Sequence, residues 1–115
     1  MKFKKKMTRK QTLKGLKLMQ HYLNDPANDL DNSDIKKIMN CAKDYVQYYI
    51  DYTGKTKNFG MKAKRLFKEF DFMKKYFFDC GIDFDFLEYW TGCNPKTALK
   101  VAIKYLKKVP VEDLY

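Results

Sequence analysis

Residues 33–50 read SDIKKIMNCAKDYVQYYI, and this stretch decides the fold. Ile35, Ile38, Met39, Ala42, Tyr45, Val46, Tyr49 and Ile50 recur at i, i+3, i+4 and i+7 over four turns, which is the stripe of a helix with one buried face. Ser33 reads as its N-cap, Asp34 suits its first turn, and Gly54 reads as its C-cap. Tyr45, Tyr49 and Tyr52 fall in the stripe as core residues, and Tyr48 falls outside it as an exposed one.

Working outward, Thr8 and Gln11 form a capping-box pattern opening a helix to about Leu23. Leu13, Leu16, Met19 and Leu23 keep the helical spacing, and Gly15 weakens its middle. Asn24-Asp25-Pro26 ends it, because proline disfavours helical geometry at the residue before it. Beyond the central stretch, TGKTKNFG (53–60) reads as a loop. A third helix is predicted from about Met61 to Phe78, with Ala63, Leu66, Phe67, Phe70, Met73 and Phe77 on its apolar face. Phe84 and Phe86 alternate with Asp83 and Asp85 as in a short strand, but Leu87, Trp90 and the surrounding helices favour a short helix at about 84–91. Asn94-Pro95 then opens a last helix to about Lys108, with asparagine as N-cap and proline in the first position. Val109-Pro110 stops it.

Strand-type alternation is nearly absent, and the chain has only 5 Gly and 3 Pro in 115 residues. The expected fold is therefore all-α: a single bundle of four or five helices over 8–108. Residues 1–7 read as a basic flexible arm and 109–115 as a loose tail. Apolar residues make up 45% of the chain and aromatic residues 17%, enough for one core and too much for a disordered segment. The three cysteines are odd in number and widely spaced, which argues against a secreted disulfide framework. The basic start MKFKKK is followed by an amphipathic segment, not by the apolar core of a signal peptide. No apolar run is long enough for a membrane span. The expectation is a cytoplasmic protein with reduced thiols.

The formal net charge is +10, from 24 Lys and Arg against 14 Asp and Glu. Its layout says more than its sum. Residues 1–20 hold eight bases and no acid, 21–35 four acids and no base, 76–95 four acids and no base, and 96–108 five lysines and no acid. Basic helices thus alternate with acidic connections. Such charge meets anionic partners: DNA, RNA, a nucleoprotein or an acidic protein face. The candidate contacts are Lys4, Lys5, Lys6, Arg9 and Lys10 at the start, Lys55, Lys57, Lys62 and Arg65 in the middle, and Lys96, Thr97, Lys100 and Lys104 in the last helix. Lysine meets phosphate as a point charge and does not read bases.

Chemistry-bearing patterns are sparse. The triplet Gly54-Lys55-Thr56 lacks the rest of a phosphate-binding loop and no strand precedes it. Asp79, Asp83, Asp85 and Glu88 offer oxygen ligands of the kind Mg²⁺ takes, which leaves a small metal-dependent nuclease as a distant alternative. Cys41, Cys80, Cys93 and His21 contain no zinc-type pair. Cys41 sits beside the apolar stripe as an ordinary buried thiol. With no nucleophile–base pair and no metal set, the reading is a non-enzymatic protein without cofactor, and its oligomeric state, a dimer included, is open.

Residues 84–103, FDFLEYWTGCNPKTALKVAI, resemble helix-turn-helix proteins. A short helix, a glycine-containing turn at Thr91-Gly92-Cys93 and a second helix follow in order, with Leu87, Cys93, Ala98 and Val101 where that motif packs its two helices. Glu88 departs from it, standing where the family has a small residue. The resemblance implies that the last helix is a recognition helix, with Lys96, Thr97 and Lys100 toward DNA. MTRKQTLKGLKLMQHYL (7–23) and TALKVAIKYLKK (97–108) also look like small proteins of bacteriophages and prophages. That likeness implies a mobile-element regulator. Its alternative is an inhibitor or adaptor docking on a host protein such as a defence nuclease, in the manner of anti-CRISPR proteins.

Overall fold

Thr8 and Gln11 open the first helix through the box the sequence predicts. The Thr8 N–H donates to Gln11 Oε1 at 3.0 Å, and the Gln11 N–H donates to Thr8 Oγ at 3.2 Å. In the computed structural model, which describes residues 3–24, 30–75, 89 and 92–115, this helix (α1) spans Arg9–Asn24. The second helix, α2, spans Asn32–Thr53. It begins before Ser33: Asp31 is the N-cap, and its carboxylate accepts the Asp34 N–H at 2.8 Å. Asp34 is buried and accepts the Phe3 N–H at 3.0 Å, so it is no exposed charge of the first turn. At the other end Gly54 takes φ 71° and donates its N–H to Ile50 O at 2.7 Å, the left-handed cap that glycine adopts without strain.

The segment after Gly54 is not a plain loop. Lys57–Asn58 (β1) and Met61–Lys62 (β2) pair antiparallel, with Lys57 opposite Lys62 and Asn58 opposite Met61. Phe59 and Gly60 form the two-residue turn, both at positive φ (54° and 93°), the pattern of a type I′ hairpin. Phenylalanine is a poor choice there by local rules. Its ring compensates, standing edge-on to Tyr105 at 5.1 Å and tilted against Tyr49 at 6.3 Å. The hairpin moves the start of the third helix, α3, from Met61 to Ala63; it runs Ala63–Met73 and continues as a π turn at Lys74 and Lys75. The predicted end near Phe78 lies outside the described residues. The last helix, α4, spans Pro95–Lys108, and Asn94 caps it by accepting the Thr97 N–H at 3.1 Å.

Four helices among the described residues thus form an all-α fold with one minimal hairpin. Helices α2 and α4 lie at its centre, each packed on all the others. The stripe of α2 is buried as read, except that Ile50 is half-buried. Tyr45 and Tyr105 are the bulkiest fully buried side chains among the described residues. Tyr52 departs from the reading: it is 68% exposed, and its ring stacks on half-buried Tyr48 with centroids 6.3 Å apart. The helix end has turned past the core there, so heptad arithmetic from Tyr45 overshoots. Gly15 also departs. It is buried where α1 meets α2, and a Cβ on it would stand 2.6 Å from Ile38 Cγ1. Its lack of a side chain permits the approach.

Residues 3–7 and 109–114 pack on the helices. Met7 is 1% exposed and Val109 4%, so both ends bury apolar groups. Tyr45 Oη donates to Met7 O at 2.8 Å, lies 3.3 Å from Glu112 O, and accepts the Leu114 N–H at 3.0 Å. The Arg9 N–H donates to Glu112 O. Residues 3–7, which the sequence suggests as a flexible arm, lie along α2 for this reason, and 109–114 pack beside them.

Two substitutions check these contacts. Gly15→Ala gains about 1 kcal/mol of helix propensity and loses about 1–3 kcal/mol to overpacking against Ile38. Urea unfolding is expected to show a net loss, and the cost of Gly15→Ala should shrink when it is measured in an Ile38→Ala background; a stabilised Gly15→Ala would refute the close approach. Tyr45→Phe strands the Leu114 N–H and is expected to cost about 1–3 kcal/mol. Amide exchange should accelerate at Leu114 first.

Candidate nucleic-acid interface

The faces of α1 and α4 follow from their burial. Ala98, Leu99, Val101, Ala102, Ile103, Tyr105 and Leu106 of α4 are buried. Only Lys96, Thr97, Lys100, Lys104, Lys107 and Lys108 are exposed. Lys96, Lys100, Lys104 and Lys108 recur every fourth residue, a step of about 6 Å along the axis. On α1 the exposed side chains are Lys10, Gln11, Lys14, Lys17 and His21. Lys10, Lys14, Lys17 and His21 line an open groove of about 390 Å³ whose base is Leu13 and Leu18. Neither helix contains an acidic residue. They pack on each other, and Arg9 at the start of α1 reaches Leu106 O in the last turn of α4 at 3.2 Å. None of these lysines has a carboxylate partner among the described residues.

Between α2 and α3, two lysines are committed internally. Lys43 and Lys74 both meet Asp71, at 3.0 and 3.7 Å, and Lys74 also donates to Asn40 Oδ1 at 3.0 Å, joining α2 to α3. Burial lowers the Lys74 pKa from its ordinary value, with Lys43 beside it adding to the effect.

The predicted contacts therefore separate. Lys10, Lys96, Thr97, Lys100 and Lys104 lie on the two acid-free faces. Lys14, Lys17, Lys107 and Lys108 extend those faces; period arithmetic on α1 alone would have added Lys14 and Lys17 to Lys10. Arg9 belongs to the fold: its guanidinium donates to Leu106 O and pairs with Glu112 at 2.6 Å. Lys4, Lys5 and Lys6 are exposed, on a segment tied to α2. Lys55 is exposed just past the Gly54 cap, and the hairpin sets Lys57 across from Lys62.

Arg65 is half structural. It pairs with Glu69 at 2.7 Å, and Glu69 is 2% exposed. The other carboxylate oxygen of Glu69 accepts the Asn94 N–H at 2.9 Å, and its backbone oxygen lies 3.7 Å from Cys93 Sγ. A buried acid on α3 thus anchors the entry to α4. Its sequence context, a polar residue among lysines, gives no sign of this.

Of the helix-turn-helix segment, the second helix is described. Leu87, Glu88, Trp90 and Thr91 lie outside the described residues, and Tyr89 is exposed. Asp79, Asp83, Asp85, Glu88 and Cys80 also lie outside them. Among the described residues no group of acids, cysteines and histidine is placed to hold a metal ion. Cys41 is buried and donates to Lys5 O at 3.2 Å; burial pushes its thiol pKa up, against a smaller opposing effect of a Met7 backbone hydrogen bond. No helix among the described residues is long and apolar enough to cross a membrane. No protein-family model, curated protein or solved structure matches the chain.

Arg65→Ala separates the two roles of that side chain. It leaves Glu69 buried with the Asn94 N–H alone, and a loss of about 1 kcal/mol in unfolding free energy is expected, discounted for the exposed guanidinium. Polyanion affinity should change little. Unchanged stability with weakened polyanion binding would return Arg65 to the interface.

Proposed function

We propose that the protein is a non-enzymatic binding protein that engages the phosphate backbone of nucleic acid, free or within a nucleoprotein, through α1 and α4. One observation carries this reading: two helices without a single acid pack on each other and turn unpaired lysines to solvent. Ordinary helix surfaces intersperse both signs, as α2 and α3 do here. A lysine face of this kind neutralises phosphates and releases condensed counterions, giving affinity without base selection. Lys96, Thr97 and Lys100 in the first turns of α4 are the contacts nearest to a recognition-helix role. With the likeness to small phage proteins, the reading suits a mobile-element regulator acting in transcription or replication.

A salt-series titration with duplex DNA, single-stranded DNA and RNA tests it. Affinity should fall steeply with salt, and the log–log slope should shrink by about 0.9 for each phosphate contact removed. The combined variant Lys96→Gln, Lys100→Gln, Lys104→Gln should weaken binding uniformly across sequences while leaving the unfolding midpoint in place. Wild-type-like binding by that variant would overturn the assignment of α4. No nucleic-acid binding, with a stoichiometric complex with a host protein, would favour the inhibitor or adaptor class instead.

A further inference from the structure

We propose that a second anion site, built from residues other than the α1 and α4 lysines, lies along α2 and takes a phosphate monoester carried on a planar ring. It goes beyond the backbone-binding reading and does not depend on it.

The site is a cleft of about 340 Å³ between α2 and the N-terminal segment. Ser33, Lys36, Lys37, Asn40 and Asp44 of its lining recur at helical spacing on one face of α2. That face is about 16 Å long at 1.5 Å per residue. The facing wall holds Lys5 and Lys6. This wall is fixed: Cys41 Sγ donates to Lys5 O at 3.2 Å, and Lys37 Nζ donates to Phe3 O at 3.1 Å. An ammonium has three donors, so Lys37 keeps two for a ligand. Tyr115 lies in the lining as well. Its hydroxyl donates to the Asp44 carboxylate, its ring stands edge-on to Tyr45 at 6.4 Å, and Lys6 Nζ sits 5.8 Å from its centroid.

The chemistry narrows the ligand. Four lysines and one side-chain carboxylate line the cleft, and the Tyr115 hydroxyl donates to that carboxylate. Lys5 and Lys36 have no protein partner among the described residues. A phosphate monoester carries about −1.5 to −2 at neutral pH, more charge at one point than a backbone diester or a carboxylate, and so suits a lining with four lysines best. The volume falls within the ordinary range for small-molecule sites, about 300–1,000 Å³, so it has room for a ring beside the phosphate. The Tyr115 ring offers such a ring a stacking surface. Two sources share this chemistry: a free mononucleotide, and the phosphorylated end of a nucleic-acid strand.

Isothermal titration of the full chain with AMP, and with one oligonucleotide bearing either a 5′-phosphate or a 5′-hydroxyl, tests the proposal. Lys5→Gln with Lys36→Gln removes two free side chains and should preserve the unfolding midpoint. That variant should bind AMP or the phosphorylated oligonucleotide about tenfold or more weakly, the effect of losing charge-assisted contacts. Lys100→Gln with Lys104→Gln should leave AMP binding unchanged, so failure here is distinguishable from failure of the α4 reading. Preference for the 5′-phosphate end identifies the strand end as the source; AMP binding without such preference identifies the free nucleotide. Absence of binding by both probes, unaltered binding by the Lys5→Gln, Lys36→Gln protein, or equal displacement of AMP by polyglutamate would overturn the site.

Discussion

One phenol oxygen holds the two ends of the chain to the centre of the molecule. Tyr45 projects from the middle of α2 into the core, where its ring is fully buried. Its hydroxyl then serves Met7 on one side and Leu114 on the other. A buried hydroxyl is costly unless its donor and acceptor capacities are both used, and here they are. Burial also pushes the Tyr45 pKa above its ordinary value, against a smaller opposing effect of the Leu114 backbone hydrogen bond. The position of Lys5 and Lys6 beside α2, and of Tyr115 over Asp44, follows from this arrangement. Without it the α2 cleft would lose one wall and its aromatic end.

The distribution of charge has a physical logic that the net value of +10 conceals. Several acids among the described residues serve the fold. Asp31 caps α2, Asp34 receives the Phe3 N–H, and Glu69 receives the Asn94 N–H. Asp71 is shared by Lys43 and Lys74. The exposed lysines of α1 and α4 have no such employment and stand in water. The field outside these helices is therefore more positive than an even spread of the same residues would make it. The near absence of arginine at the surface fits attraction to phosphate more than recognition of a base edge.

What could be read from the chain was local. The Thr8–Gln11 box, the α2 stripe, the Gly54 cap and the Asn94-Pro95 start depend on residues within one or two turns, and each stands where the pattern places it. Features joining distant segments were not legible. Glu69 looks like one more surface acid until Asn94, 25 positions away, meets it. Gly15 looks like a weak spot until Ile38 packs on it. The hairpin hides because Phe59 holds a turn position where asparagine or glycine is the usual sign, and only the rings of Tyr49 and Tyr105 justify it. For the interface, the identity of the lysines was readable and their employment was not. Arg9 and Lys96 look equally basic in sequence, yet one is spent on Leu106 and Glu112 and the other is free.

The Arg9–Glu112 contact closes a loop of 103 positions, and Tyr45 joins Leu114 across 69. Such closures cost chain entropy before any contact rewards them, and contacts of long sequence separation slow folding. The helices of the centre can assemble from nearer pairs first. Docking of the two end segments is then the event expected last in folding and first in unfolding, a sub-global opening that would expose Met7 and Val109 while α2 and α4 stay paired. The cleft on α2 would then have a lifetime of its own, shorter than that of the fold carrying it.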